Sequence, residues 1–162
     1  MTYDVRAIAN LVLRLADEDA KSVTNLGLNK IVYFLHAAHL HEHRTPLVTA
    51  KIEAWQYGPV FRELYHQFKK FGSDPVTTRA TRLEPSTGEL REVVDAIAPQ
   101  DAAFVEKHAT ELLCLSPGKL VDMSHVSDGP WYAARFGNGS VNPGVEITAD
   151  LIMSAGNEQA RH

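Results

Sequence analysis

A mainly helical α+β fold, a single compact helical domain with a short strand or hairpin element, is what this sequence predicts, and three observations predict it. Apolar residues recur at helical spacing along most of the chain. Proline, glycine and threonine punctuation cuts the 162 residues into segments of ordinary helix length. Only the stretches 51–55 and 76–97 read as strand. A chain of this length fits one domain that buries a core without staples.

In chain order, Val5, Ile8, Ala9, Val12 and Leu15 mark a first helix from Asp4 to Ala16, with Asp4 as N-cap or first-turn acid. A second begins at Thr24 or Asn25, with Gly27 as its weak point, and runs to about Arg44, where Thr45-Pro46 stops it. Lys51 to Trp55 alternates like a short strand, and Tyr57-Gly58-Pro59 turns the chain into a third helix from about Val60 to Phe71. The threonine-rich 76–83 and the segment 90–97 form the arms of a hairpin around the turn-like EPSTGE. A helix from Pro99 packs through Ala103, Phe104, Leu112 and Leu113, and a shorter one runs from Pro117 to about Val126. After the DGPW turn a helical turn reaches Arg135, 136–144 is a loop by composition, and ITADLIMSA is a last helix capped by Thr148, with NEQARH as a frayed tail.

Composition removes several functions. With 44% hydrophobic and 22% charged residues, no apolar run approaches the roughly 20 residues of a membrane span. The N-terminal stretch lacks the pattern of a secretory signal, and the single Cys114 agrees with a reducing cytoplasm, so a cytoplasmic protein is expected. A net charge of −4 argues against a dedicated nucleic-acid binder, and Lys69, Lys70, Arg79 and Arg82 read as a solvated surface.

The stretch HAAHLHEH places four of the eight histidines within residues 36–43. On a helical wheel His36, His39 and His43 share a side while His41 lies opposite, and His39 continues the apolar stripe of Leu28, Val32 and Leu35. His36 and His43 are separated by roughly 10 Å of rise, too far to close on one ion from a single helix. No HExxH motif is present, so a metal site needs a further ligand such as His66, His108 or His125. The expectation is no metal and no other cofactor, with His39 as a core histidine and His36 at the edge of the helix.

Other chemistries are no better supported. Cys114 lies in an apolar ELLCLSPG context that reads as a buried thiol, and the GNG of 137–139 lacks the residues of a phosphate loop. No pattern pairs two carboxylates in an apolar pocket. Most aromatics read as core, but Trp55, Tyr57, Trp131 and Tyr132 stand at turns, where interface residues are also enriched.

Three stretches together carry a resemblance: Asn25 to His36 (NLGLNKIVYFLH), Ile52 to Val60 (IEAWQYGPV) running on to Phe71-Gly72, and Ser124-His125 through Gly129-Pro130-Trp131. They resemble the Panacea domain of SocA-like antitoxins, a domain also found in phage-associated proteins. The similarity divides the chain into a domain over 1–152 and a polar C-terminal tail, 153–162. Family members commonly have Leu-Gln-Lys where this chain has Leu28-Asn29-Lys30, and 76–98 matches poorly. His36 and His39 fall at family positions; His41 and His43 do not.

The resemblance implies a non-enzymatic antitoxin of a type II toxin-antitoxin system, binding a cognate toxin protein, either masking it or acting as a proteolytic adaptor that delivers it to a cellular protease. The family-motif residues expected to matter are Lys30, Tyr33, His36, Glu53, Trp55, Tyr57, Pro59, His125 and Trp131, with toxin-specific contacts from their exposed edges and from 76–98. Two alternatives stand beside it: a DNA-binding regulator of its own operon, and a small metal-dependent hydrolase using the His36–His43 cluster.

Overall fold

The second helix organises the molecule. A computed structural model describes residues 1–137 and 144–159, the side chains of 156–159 aside. Helix α1 (Val5–Glu18) packs beside α2 (Asn25–His43), and α2 also touches α3 (Arg62–Phe68), α4 (Pro99–Leu112), α5 (Pro117–Ser124) and α7 (Ala149–Gln159). The sixth helix, α6 (Pro130–Phe136), packs on α7. Two antiparallel hairpins complete the described residues: β1 (Glu53–Trp55) with β2 (Gly58–Val60), and β3 (Thr81–Leu83) with β4 (Leu90–Glu92). This is a mainly helical α+β fold, as expected.

Local signals account for the helix starts. Asp4 caps α1 by accepting the Arg6 amide at 2.9 Å, Thr24 caps α2 through Gly27 at 3.1 Å, and Ser116 caps α5 through Lys119 at 3.1 Å. Gly27 fits the start of α2: its amide donates to the cap, and a Cβ there would lie 3.3 Å from Thr24 Oγ1. Prolines open α4, α5 and α6, where their missing N–H costs no helical bond. Thr148 Oγ1 accepts from the Leu151 amide at 3.2 Å. The last helix then continues to Gln159, across the division at 152 and through part of the expected tail.

Three expectations require correction. Val60, expected to begin the third helix after a Tyr57-Gly58-Pro59 turn, instead ends the strand Gly58–Val60, and α3 begins only at Arg62. The β1 strand supplies the reason, since Glu53, Ala54 and Trp55 pair with Val60, Pro59 and Gly58. Within α4, Ala103 is exposed, and Val105 and Ala109 join Phe104 and Leu113 in the core. Cys114 is exposed, because the chain leaves α4 just before it and Leu113 takes the inward position. Most of the loop expected over 136–144 lies outside the described residues.

A buried side chain anchors the base of the β3–β4 hairpin, and Gln67 on α3 adds a second tie by accepting the Thr81 amide at 3.0 Å. Asn10, buried on α1, accepts the Ala80 amide at 2.8 Å and donates to the carbonyls of Ala80 and Val93, both at 3.0 Å. That satisfies a polar group inside the apolar run of α1 and fixes the hairpin to the helix. No described helix is long and apolar enough to cross a membrane.

Candidate functional site

Seven of the nine residues singled out from the sequence gather around the β1–β2 hairpin. Lys30 is fully buried, and its ammonium donates to the Pro59 carbonyl at 2.8 Å. Burial pushes its pKa down from 10.5 to about 7, so the nitrogen holds its extra proton weakly. Gly58 sits at φ +114°, where a Cβ would lie 2.5 Å from Lys30 Cε and 2.6 Å from Ser124 Oγ. Only glycine lets α2, β2 and α5 close on that point.

The opposite side of the hairpin is built by aromatic stacking. Trp131, buried on α6, donates Nε1–H to the Trp55 carbonyl at 2.7 Å, and the half-buried His125 lies parallel to its ring. The His125 pKa is lowered, first by burial and then by the Lys30 charge. Its Nε2 is buried with no hydrogen-bond partner among the described residues. Trp55 meets Tyr65 edge to face at 5.0 Å, which leaves Tyr57, 60% exposed, at the tip of the hairpin.

Glu53 forms the buried end of the same hairpin. It accepts a side-on fork from Arg62, at 2.9 Å from Nε and 3.0 Å from Nη2, with Trp55 Nε1 at 3.5 Å. The segment after Gly144 adds a third extended stretch beside β1, through Ala54 N–H to the Val145 carbonyl at 2.8 Å and Ile147 N–H to the Ile52 carbonyl at 2.9 Å. Arg135 donates to the Ala54 carbonyl at 3.1 Å from α6.

Tyr33 and His36 belong to the core. Burial raises the Tyr33 phenol well above its ordinary pKa. His36 is buried and not at the helix edge; its Nδ1 accepts from the Leu47 and Val48 amides at 3.3 and 3.4 Å, which ties α2 to the loop before β1. Burial, then the nearby His39, holds its pKa down to about 4.

His39 lines the core as expected, with Nδ1 donating to the Thr45 carbonyl at 2.6 Å and Nε2 3.6 Å from Asp101. His43 is exposed against the His39 ring and His41 is half-buried. His39 and His43 share the Phe104 ring as a neighbour, while His36 meets Phe61. Among the described residues no group of three His, Cys, Asp or Glu side chains is arranged to hold a metal ion.

Residues that sequence reasoning missed complete the frame. Asn29 Oδ1 accepts the Phe61 amide at 3.0 Å, while its amide group donates to Asn25, whose own Nδ2 reaches the Tyr65 carbonyl at 3.0 Å. Asparagines on the buried face of α2 were the available signal, because a buried amide requires partners. Ser124 and Lys30 are close to one another across Gly58, yet both are sealed from solvent at 4% and 0% exposure. Around the hairpin stand the exposed Tyr57, the half-buried Trp55 indole, and the guanidinium groups of Arg62 from α3 and Arg135 from α6.

The chain is 34% identical over 153 residues to Antitoxin SocA of Caulobacter vibrioides (strain NA1000 / CB15N), covering 93% of this chain and 81% of that relative. No solved structure matches it. Residues 28–132, which run from the Lys30 helix through the hairpin to Trp131 and Tyr132, match the family model described as Antitoxin SocA-like, Panacea domain. The chain belongs to that family.

Proposed function

We propose that this protein is the antitoxin of a type II toxin-antitoxin pair and neutralises a cognate toxin by direct protein–protein contact, without catalysis, in the cytoplasm. The observation that carries the reading is the exposed hairpin tip on a rigid base. Tyr57 is 60% exposed on a strand turn that Lys30, Trp131 and Gly58 hold from beneath, and Tyr132 and Val126 are also exposed at 41% and 39%. Aromatic anchors on a preorganised support contribute binding energy at low entropic cost. The buried polar pair Lys30 and Ser124 cannot meet a substrate without opening the domain.

A second exposed apolar surface suits toxin-specific contact. Leu83, Leu90 and Val94 are 57%, 70% and 78% exposed on the β3–β4 hairpin and just after it. An inhibitor that masks its target buries roughly 1,200–2,000 Å² in total, which neither patch supplies alone.

Co-expression with the protein encoded next to it tests the reading. Rescue from toxicity is expected, and Tyr57→Ala should weaken rescue while leaving the fold intact. A neighbour that is toxic both alone and with this protein would defeat the antitoxin assignment. Toxin levels measured with and without the cellular protease separate masking, where they stay constant, from adaptor delivery, where they fall.

A further inference from the structure

We infer that Arg62 and Arg135 form a preorganised receptor for a carboxylate on an extended acidic segment of the partner protein; the identity of that partner as a toxin rests on the reading above. Both line one shallow groove of about 450 Å³, with Glu53, Trp55, Gln56 and Gly144. They come from different elements, α3 and α6, and each is tethered to β1 by only part of its donor set.

The tethers fix which donors remain. Arg62 spends its Nε and Nη2 edge on Glu53, whose carboxylate is buried, while its own side chain is 63% exposed. Arg135 spends Nη1 on the Ala54 carbonyl, and its guanidinium carbon lies 5.8 Å from the centre of the Trp131 ring. A guanidinium carries five N–H donors, so among the described residues each arginine keeps donors beyond these contacts. Among the described residues Glu53 is the one acidic residue lining the groove, and it is already engaged by Arg62. The lining thus carries two guanidinium charges against one carboxylate, in a chain of net charge −4.

This imbalance selects the occupant. Planar guanidinium groups bind carboxylates through paired, charge-assisted hydrogen bonds, and holding them in place beforehand lowers the ordering cost. Trp55 and Gln56 offer an indole and an amide along the same wall, suited to an extended peptide. A second groove continues past Glu53, Arg62 and Gly144 to Lys51 and His66, so additional acids on the segment meet further basic groups; Glu63 stands there as well, within 3.2 Å of Arg6.

The test uses the isotope-labelled full chain and a blocked peptide, Ac-Gly-Glu-Ala-Glu-Gly-NH2, with its glutamine counterpart as control. The Glu peptide should shift the Nε–Hε resonances of Arg62 and Arg135, the Gln peptide should not, and about 0.5 M salt should weaken binding several-fold. Arg135→Gln should weaken binding about fivefold or more with Arg135→Lys intermediate, since the lysine keeps charge without the fork. Absent shifts, equal shifts with the Gln peptide, or tighter binding of a short thymidine oligonucleotide at the same arginines would overturn the assignment.

Co-expression separates the two readings. If the wild-type chain fails to neutralise its neighbour but the peptide still moves both arginines, the toxin assignment falls and the carboxylate receptor stands. If Arg135→Gln rescues as well as wild type and the peptide is silent, the receptor falls alone.

Discussion

His125 lies flat against Trp131, with ring centroids 3.8 Å apart and 6° between the planes. The stack joins the end of α5 to the start of α6, and the indole N–H then continues to the Trp55 carbonyl in β1. One tryptophan therefore couples three elements around the hairpin.

Trp131→Phe should keep most of the apolar burial while removing that hydrogen bond. Leaving a buried carbonyl without its donor costs about 1–3 kcal/mol. The expected outcome is a lower urea midpoint with an unchanged slope; an unchanged midpoint would refute the coupling.

His36 should make the fold sensitive to acid. Its pKa is about 4 in the folded chain against an ordinary 6.5, so between these values the unfolded chain binds more protons. Stability is therefore lost as pH falls from 6.5 toward 4, by on the order of 3 kcal/mol from this group. His36→Asn retains an acceptor for the Leu47 and Val48 amides and should flatten that dependence, read as urea midpoints at pH 7 and pH 4.5.

Lys30 acts at the other end of the scale. With its folded pKa near 7 and an ordinary value of 10.5, the unfolded chain again binds more protons between the two. Stability should rise as pH increases from 7 toward 10.5. Lys30→Met removes the titrating group and should abolish the rise; a slope equal to wild type would show that Lys30 is not its source.

Gly58→Ala combines a left-handed φ with two contacts under 3 Å, to Lys30 and Ser124. Strain and overpacking together should cost about 3 kcal/mol or more. Gly88 is the matched control: at φ +71° with nothing within 4 Å of a Cβ, its substitution to Ala should cost about 1 kcal/mol. Thermal unfolding of the two variants checks the difference.

Helices were legible wherever the signal was local. The α1 stripe, the caps at Asp4, Thr24 and Thr148, and the prolines opening α4, α5 and α6 each act within a few residues. Gly58-Pro59-Val60 misled because Tyr-Gly-Pro reads locally as a turn into a helix, while its state as a strand depends on pairing with Glu53–Trp55. Cys114 misled in the same way, since an apolar neighbourhood in sequence does not say which residue the end of α4 turns inward.

The candidate site was legible only as a set of residue types. Lys30, Glu53, Trp55 and Trp131 could be named from their motifs, but nothing in those motifs says that Lys30 is sealed against Pro59 or that Tyr57 is left outside. Arg62 and Arg135 stand 73 positions apart and carry no local pattern that links them.

By itself, then, the sequence determined the fold class, most helix starts and the family resemblance, because periodicity, capping and motif spacing are properties of neighbouring residues. Tertiary structure alone decided which polar side chains are buried, how Asn10 anchors the second hairpin, and which donors of Arg62 and Arg135 are tied to Glu53 and Ala54. Burial and hydrogen-bond satisfaction depend on partners brought together from distant parts of the chain, and only folding supplies those partners.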